Sequence, residues 1–169
     1  INRNSWSADA QGRAIWALGY VASLEEIPLE IRSEAEELFS KVISSADKIT
    51  SPRAVSFIIT GWYYYQQYNP KSENLQRIKK LADHLVSLYS CSSSEDWQWF
   101  ESSLTYSNSK LAEGLFYSYL ALGEKKYLQI AQKTLDFLCS ITFENGFFQS
   151  IGQNGWYVKN GQRSYFDQQ

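Results

Sequence analysis

One histidine, two cysteines and no methionine occur in this chain, and no apolar run in it reaches the length of a membrane span. Each shortage removes a class of chemistry. His84 lies among Leu81, Leu85 and Leu88 at helical spacing, where a histidine is ordinarily structural. A Ser-His-Asp triad or a histidine-metal centre therefore lacks its parts. Cys91 falls in a serine-rich turn and Cys139 in a helical pattern. Neither has a CxxC neighbour or a histidine partner, which argues against a zinc or redox site. They read as two free thiols, with a disulfide between them the other arrangement the sequence allows. Net charge is -2 and the basic residues are scattered, so nothing recruits nucleic acid or an anionic membrane. No Walker or Rossmann glycine pattern appears, and no nucleotide-binding half is expected. The first residues, Ile1-Asn2-Arg3-Asn4-Ser5, form no signal peptide, and no initiator Met precedes them. The chain is expected to be a piece of a longer protein. Its localisation is not legible from its start, and the cytoplasm is the working expectation.

What the chain has in quantity is aromatic side chains, 16% of all residues, with Tyr and Trp supplying most of the excess. Such residues pair an apolar face with a polar handle. Sugar sites favour that combination, and so does packing between helices. Its 169 residues are enough for one domain with a real core.

Six helical segments can be read, of two kinds. Segments 10–23, 52–68 and 109–122 are apolar almost all round, through Ile15, Trp16 and Leu18, then Phe57, Ile58 and Trp62, then Leu111, Leu115 and Phe116. A helix apolar on every side is buried on every side, so these are expected to be inner helices. Segments 29–49, 73–89 and 126–141 carry a single apolar stripe in steps of three and four, with charged residues between, and are expected to be outer helices. Pro28, Asn69-Pro70 and Gly123 punctuate tight turns from each inner helix to the following outer one. Three helical hairpins result, an imperfect repeat of about fifty residues. That alternation predicts an all-α fold of the α/α-toroid (six-hairpin) or α-solenoid kind, a single partial domain over residues 1–169. A compact six-helix bundle is the alternative. Three hairpins are half of a six-hairpin ring. The inner helices should then be covered by the remainder of a parent chain or by further copies in a homo-oligomer. The paired glycines after residue 142, Asn145-Gly146, Asn154-Gly155 and Asn160-Gly161, predict tight turns or a β-hairpin.

Connections on the two ends of the hairpins differ in length. The longest, 91–108, and the tail both lie on the side where the inner helices begin, where unpaired N–H groups and positive dipole ends suit carboxylates, anions or hydroxyl oxygens. Polar and aromatic residues gather at that end: Asp9 and Arg13; Arg53; Trp97, Trp99, Glu101, Tyr106 and Asn108; and Trp156, Arg163, Asp167 and Gln168 in the tail. Each has a plainer employment. Asp9 is a good N-cap and could pair with Arg13 across one helical turn.

Three stretches carry a likeness. Asp9-Ala10-Gln11-Gly12-Arg13-Ala14-Ile15-Trp16-Ala17-Leu18-Gly19 is similar to D-x-x-G-R-x-x-W-A-L-G. Trp97-Gln98-Trp99-Phe100-Glu101-Ser102-Ser103-Leu104-Thr105-Tyr106-Ser107-Asn108 resembles W-x-W-F-E-x-x-L-T-Y-x-N, and Phe166-Asp167-Gln168-Gln169 resembles F-D-Q-Q. All three resemble motifs of bacterial α/α-toroid domains related to the six-hairpin glycosidases, some of them fused to glycosyltransferases. The resemblance implies that Asp9, Arg13, Glu101, Tyr106, Asn108 and Asp167 line the mouth of the toroid. Ser107 stands where that family often has Asp, and Ser109 and Ala112 replace an Ala and a Pro. A related sugar epimerase is disfavoured, since histidines act there as acid and base.

Glycoside hydrolysis needs two carboxyl groups flanking the bond. Glu101, Asp9 and Asp167 are the candidates, with Glu101 the expected acid beside the desolvating Trp99 and Phe100. Trp97, Trp99 and Trp156 would form stacking walls, and Arg13, Tyr106, Asn108 and Gln168 would bind substrate. No cofactor and no metal is called for. Three functions follow: a hydrolase-like enzyme on an oligosaccharide or surface glycan, a non-catalytic glycan-binding module of a glycosyltransferase, or a helical scaffold gripping a protein.

Overall fold

The computed structural model describes residues 7–165. Six helices account for most of them: α1 (Ala8–Ser23), α2 (Leu29–Ala46), α3 (Pro52–Tyr68), α4 (Ser72–Ser92), α5 (Ser109–Leu122) and α6 (Lys125–Thr142). Four two-residue strands complete the described fold: β1 (Ser103–Leu104), β2 (Phe143–Glu144), β3 (Phe147–Phe148) and β4 (Tyr157–Val158). The chain is all-α, as expected, with α1 packed on α2, α3 on α4 and α5 on α6.

The middle inner helix organises the rest. Every residue of α3 from Arg53 to Trp62 is buried, and α1, α4 and α5 all pack against it. Over that stretch the helix has no solvated face, which is what the sequence pattern required. Its contact with α1 is close enough to exclude side chains. A Cβ on Gly12 would lie 2.8 Å from the Ala54 carbonyl oxygen, and one on Gly61 would lie 2.6 Å from that of Ile15. A Cβ on Gly19 would run onto the Gly61 carbonyl. Because 12 meets 54 and 19 meets 61, the two helices run parallel, backbone against backbone. Gly114 of α5 meets Ser56 in the same way, at 3.0 Å.

The outer helices close the hairpins. Phe39 of α2 stacks on Tyr65 at 4.4 Å and meets Trp62 edge-on at 5.0 Å. Between α4 and α6, Asp83 accepts from Lys126 at 2.6 Å and from the Tyr127 hydroxyl at 2.8 Å, while Lys79 reaches Glu124 at 2.6 Å. Gly123 caps α5 in the left-handed region, the position its sequence context predicts.

One expectation needs correction. Helices α1 and α5 are not buried on every side: Ala10, Ala14, Ala17 and Tyr20 of α1 and Leu120 of α5 are exposed. Each packs chiefly against one other inner helix, α3, and no fourth hairpin among the described residues covers the far side of the array.

After α6 the chain turns back on itself. Asn145 and Gly146 both have positive φ, 51° and 82°, and join β2 to β3 as the expected hairpin. The chain then returns so that β4 pairs antiparallel with β1, Tyr157 opposite Leu104 and Val158 opposite Ser103. That ladder ties the tail to the long connection 93–108.

Candidate functional site

The connection 93–108 is held from beneath by one buried side chain. Arg53, only 4% exposed, enters from the first turn of α3. Its Nε donates to the Tyr106 carbonyl at 2.6 Å, Nη1 to Glu101 Oε2 at 2.6 Å, and Nη2 to Asn108 Oδ1 at 3.1 Å. A guanidinium's rigid fork of donors suits this three-point task, where a lysine would meet one or two of the acceptors. The Tyr106 ring lies over the same guanidinium, 5.0 Å away.

Glu101 is therefore the ionic anchor of its loop. Its neighbours do not desolvate it as expected. Trp99 and Phe100 turn away into the core and pack edge-on against each other at 5.4 Å. Trp97 is 3% exposed and Trp99 0%, with the Trp97 Nε1 donating to the Glu101 carbonyl at 2.7 Å. Both rings meet Phe137 of α6. They cannot offer a face to a sugar, and the expectation that they form stacking walls is corrected: burying their area stabilises the domain more than displaying it. Asn108 is committed as well. Its Oδ1 also accepts from the Thr105 N–H at 3.0 Å, and its Nδ2 donates to the Thr105 carbonyl at 2.8 Å, so it shapes the turn and keeps only one N–H of its amide uncommitted. The turn places Ser107 at φ 47°.

Asp9 and Arg13 behave as their spacing predicts, Arg13 Nε donating to Asp9 Oδ2 at 2.7 Å. Ser7, not Asp9, caps α1, its hydroxyl accepting from the Ala10 N–H at 3.3 Å. Arg13 also donates to Ser107 Oγ at 3.2 Å, and the Tyr106 hydroxyl reaches Asp9 Oδ1 at 3.5 Å. Hence the start of α1 and the end of the long connection meet. Asp167 and Gln168 lie outside the described residues, as does the motif around them.

Three of the expected binding residues, Tyr106, Asn108 and Trp156, do come together. Tyr106, 47% exposed, and the half-buried Trp156 border one cleft of about 370 Å³, with Thr105, Ser107 and Phe148 also on its walls. Trp156 sits at φ 56°, in the left-handed region that disfavours a bulky residue, and its carbonyl accepts from Ser164 at 3.0 Å. Backbone strain of this kind persists only where surrounding structure over-determines it. Arg163 supplies part of that structure by donating to the carbonyls of Ile141, Gln149 and Ser150.

A second surface went unread in the sequence. Trp16 stacks on Phe57 at 5.6 Å; Arg13 lies 4.4 Å over Phe57 and Lys110 lies 4.1 Å over Trp16. Further along, Tyr20 meets Tyr64 at 4.8 Å, and the Tyr64 and Tyr117 hydroxyls share a hydrogen bond of 2.9 Å. Burial and the Tyr64 hydroxyl push the Tyr117 phenol well above the usual tyrosine range. These residues form one strip across the three inner helices. The spacings 13-16-20, 57-64 and 110-117 are helical, the one signal of the strip that the sequence carries.

Among the described residues, three acids near the inner-helix starts have cationic partners: Asp9 with Arg13, Glu101 with Arg53, and Glu113 with Lys110 at 2.7 Å. Among the described residues no group of three or more metal-ligating side chains gathers, and no helix is long and apolar enough to cross a membrane. Comparison with protein-family models, with curated proteins and with solved structures returns no match.

Proposed function

We propose that this chain is a carbohydrate-binding domain of the α/α-toroid type that takes a glycan across the mouth formed by its inner-helix starts. The observation that carries the reading is the Tyr106–Trp156 cleft. Two aromatic side chains from segments far apart in sequence are held beside hydroxyl groups in a space of about 370 Å³. Aromatic faces receive the C–H faces of a sugar ring while the hydroxyls of Thr105 and Ser107 meet its oxygens. The pairing of Asp9 and Glu101 with cations favours binding over turnover, because hydrolysis requires two carboxyl groups free to flank the bond.

Hydrolysis is the second reading, on one observation. The Glu101 side chain is 30% exposed and that of Asp9 24%, so both retain access to solvent while paired. Proton NMR with a panel of neutral oligosaccharides separates the two. Line broadening without new anomeric signals, abolished by Trp156→Ala, is the expected result. New anomeric signals that vanish in Glu101→Gln would establish the enzyme instead. Binding unaffected by both Trp156→Ala and Tyr106→Ala would overturn the cleft assignment.

A further inference from the structure

We propose that the pocket enclosed by α2, α3 and α4 is a binding site for a small apolar monocarboxylate of about the size of benzoate, independent of the glycan site. The cavity measures about 140 Å³. An apolar cavity of about 150 Å³ accommodates a benzene ring, so the volume fits one ring or a short branched chain. Its floor is Ile43, Ile58, Trp62 and Leu81, whose one polar group, the Trp62 indole N–H, is too little for the several hydroxyls of a sugar. The charge stands at the rim. Arg77, Lys80 and His84 fall at i, i+3 and i+7 along α4, a spacing that sets them on one face of the helix, and all three border the pocket.

Each rim group has a definable state. Arg77 lies 5.4 Å over the Trp62 ring and reaches Asp47 only at 3.5 Å. Lys80 has no ion-pair partner among the described residues. His84 Nε2 stands 3.0 Å from the Thr50 carbonyl, which can only accept, so that nitrogen carries a proton and the ring is fixed as a wall. Against the two permanent cations the rim sets one carboxylate, Asp47, leaving a surplus of one positive charge. A monoanion neutralises it; a cation meets repulsion, and a dianion overcompensates. An apolar body over Trp62 and a carboxylate beside Lys80 and Arg77 use the floor and the rim together.

The test follows the indole N–H signal of Trp62, assigned by its loss in Trp62→Phe, while sodium benzoate or benzyl alcohol is titrated into the protein. The two probes match in size and differ in charge. Benzoate is expected to shift the signal saturably, and benzyl alcohol to bind about tenfold more weakly, a difference of about 1.4 kcal/mol. Lys80→Glu is expected to weaken benzoate by about tenfold and to leave benzyl alcohol unchanged. Lys80 is exposed, so the variant should keep the fold; a circular dichroism spectrum checks this, and Lys80→Gln, expected to lie between, is titrated alongside. No shift with benzoate, equal affinity for the two probes, or benzoate affinity indifferent to both Lys80 variants would each overturn the proposal. Loss of glycan binding in Trp156→Ala leaves this titration untouched, so the two sites stand or fall separately.

Discussion

Replacing Arg53 by methionine should be among the most damaging single changes available on this surface. The guanidinium is 4% exposed and serves three acceptors: a carboxylate, a backbone carbonyl and a side-chain amide. Methionine fills much of the space and removes all three bonds. Removing one member of a fully buried ion pair costs about 3–5 kcal/mol, because the other is stranded. Glu101 keeps 30% of its side chain in contact with water and can rehydrate, so its share falls toward the low end. The Tyr106 carbonyl and Asn108 amide each add about 1 kcal/mol where water cannot replace the donor. The expected loss is about 3–5 kcal/mol, or a fall of about 6–20 °C in Tm for a chain of this length. Urea unfolding followed by circular dichroism reads the free energy. A double-mutant cycle with Glu101→Gln isolates the pair, and the double variant should cost about 1–2 kcal/mol less than the sum of the singles. A loss in Arg53→Met below about 0.5 kcal/mol would refute the account of this residue, since that is the range of changes at ordinary surface positions. Strict additivity in the cycle would show that the loop is held by the uncharged bonds alone.

Gly19→Ala gains about 1 kcal/mol of helix propensity but drives a methyl group onto the Gly61 carbonyl; net destabilisation of at least 1 kcal/mol is expected in the same urea assay, and a stabilised variant would contradict the close α1–α3 approach. The network between α4 and α6 predicts the pH response. Partial burial works upward on Asp83, but the hydrogen bonds from Lys126 and Tyr127 outweigh it and hold the carboxyl below its ordinary range; the bond from Lys79 does the same for Glu124. Both therefore support folding above the unfolded value of about 4 and lose that support as pH falls through their lower folded values. Lys126 is raised by its bond to Asp83, so its support is full below the unfolded value of about 10.4 and disappears as pH climbs through the higher folded one. Tm should fall at both extremes, and Lys126→Met should make both falls shallower; unchanged limbs would show that the network does not couple to folding. Gly146→Ala, at φ 82° with open space around it, should cost about 1 kcal/mol through backbone strain alone and leave the helices intact by circular dichroism.

The helices were legible because their periodicity is strong and their punctuation consistent. The segments 52–68 and 109–122 match α3 and α5, and Gly123 ends α5 as a left-handed cap should. Outer helix α2 stops at Ala46, short of the expected 49, since Ile49 follows in a turn whose N–H bonds to the Ala46 carbonyl. The direction of side chains in the 93–108 connection was not legible. A segment without a repeat gives no phase from which to read inside and outside, and so Trp97 and Trp99 looked as available as Tyr106. Nor does the sequence mark the β1–β4 ladder, whose two-residue strands are too short for alternation to show. Arg53 was visible at the start of α3, but nothing local reveals that its acceptors lie around residues 101–108. Long-range polar contacts of this kind arise from packing, and only the folded arrangement displays them.

The pairing of β1 with β4 has a consequence in time. All six helices are specified by the time residue 142 has been made, and the contacts within each hairpin join segments close in sequence, which form early. The Tyr106–Trp156 cleft takes its two aromatic walls from segments that the ladder brings together, the second of them beyond the last helix. Helical signal should therefore appear in refolding before the environment of Trp156 becomes native. A chain nicked or halted between α6 and β4 would keep its helical array and lack the cleft, so that assembly of the scaffold and arrival of binding competence are separate events in the life of each molecule.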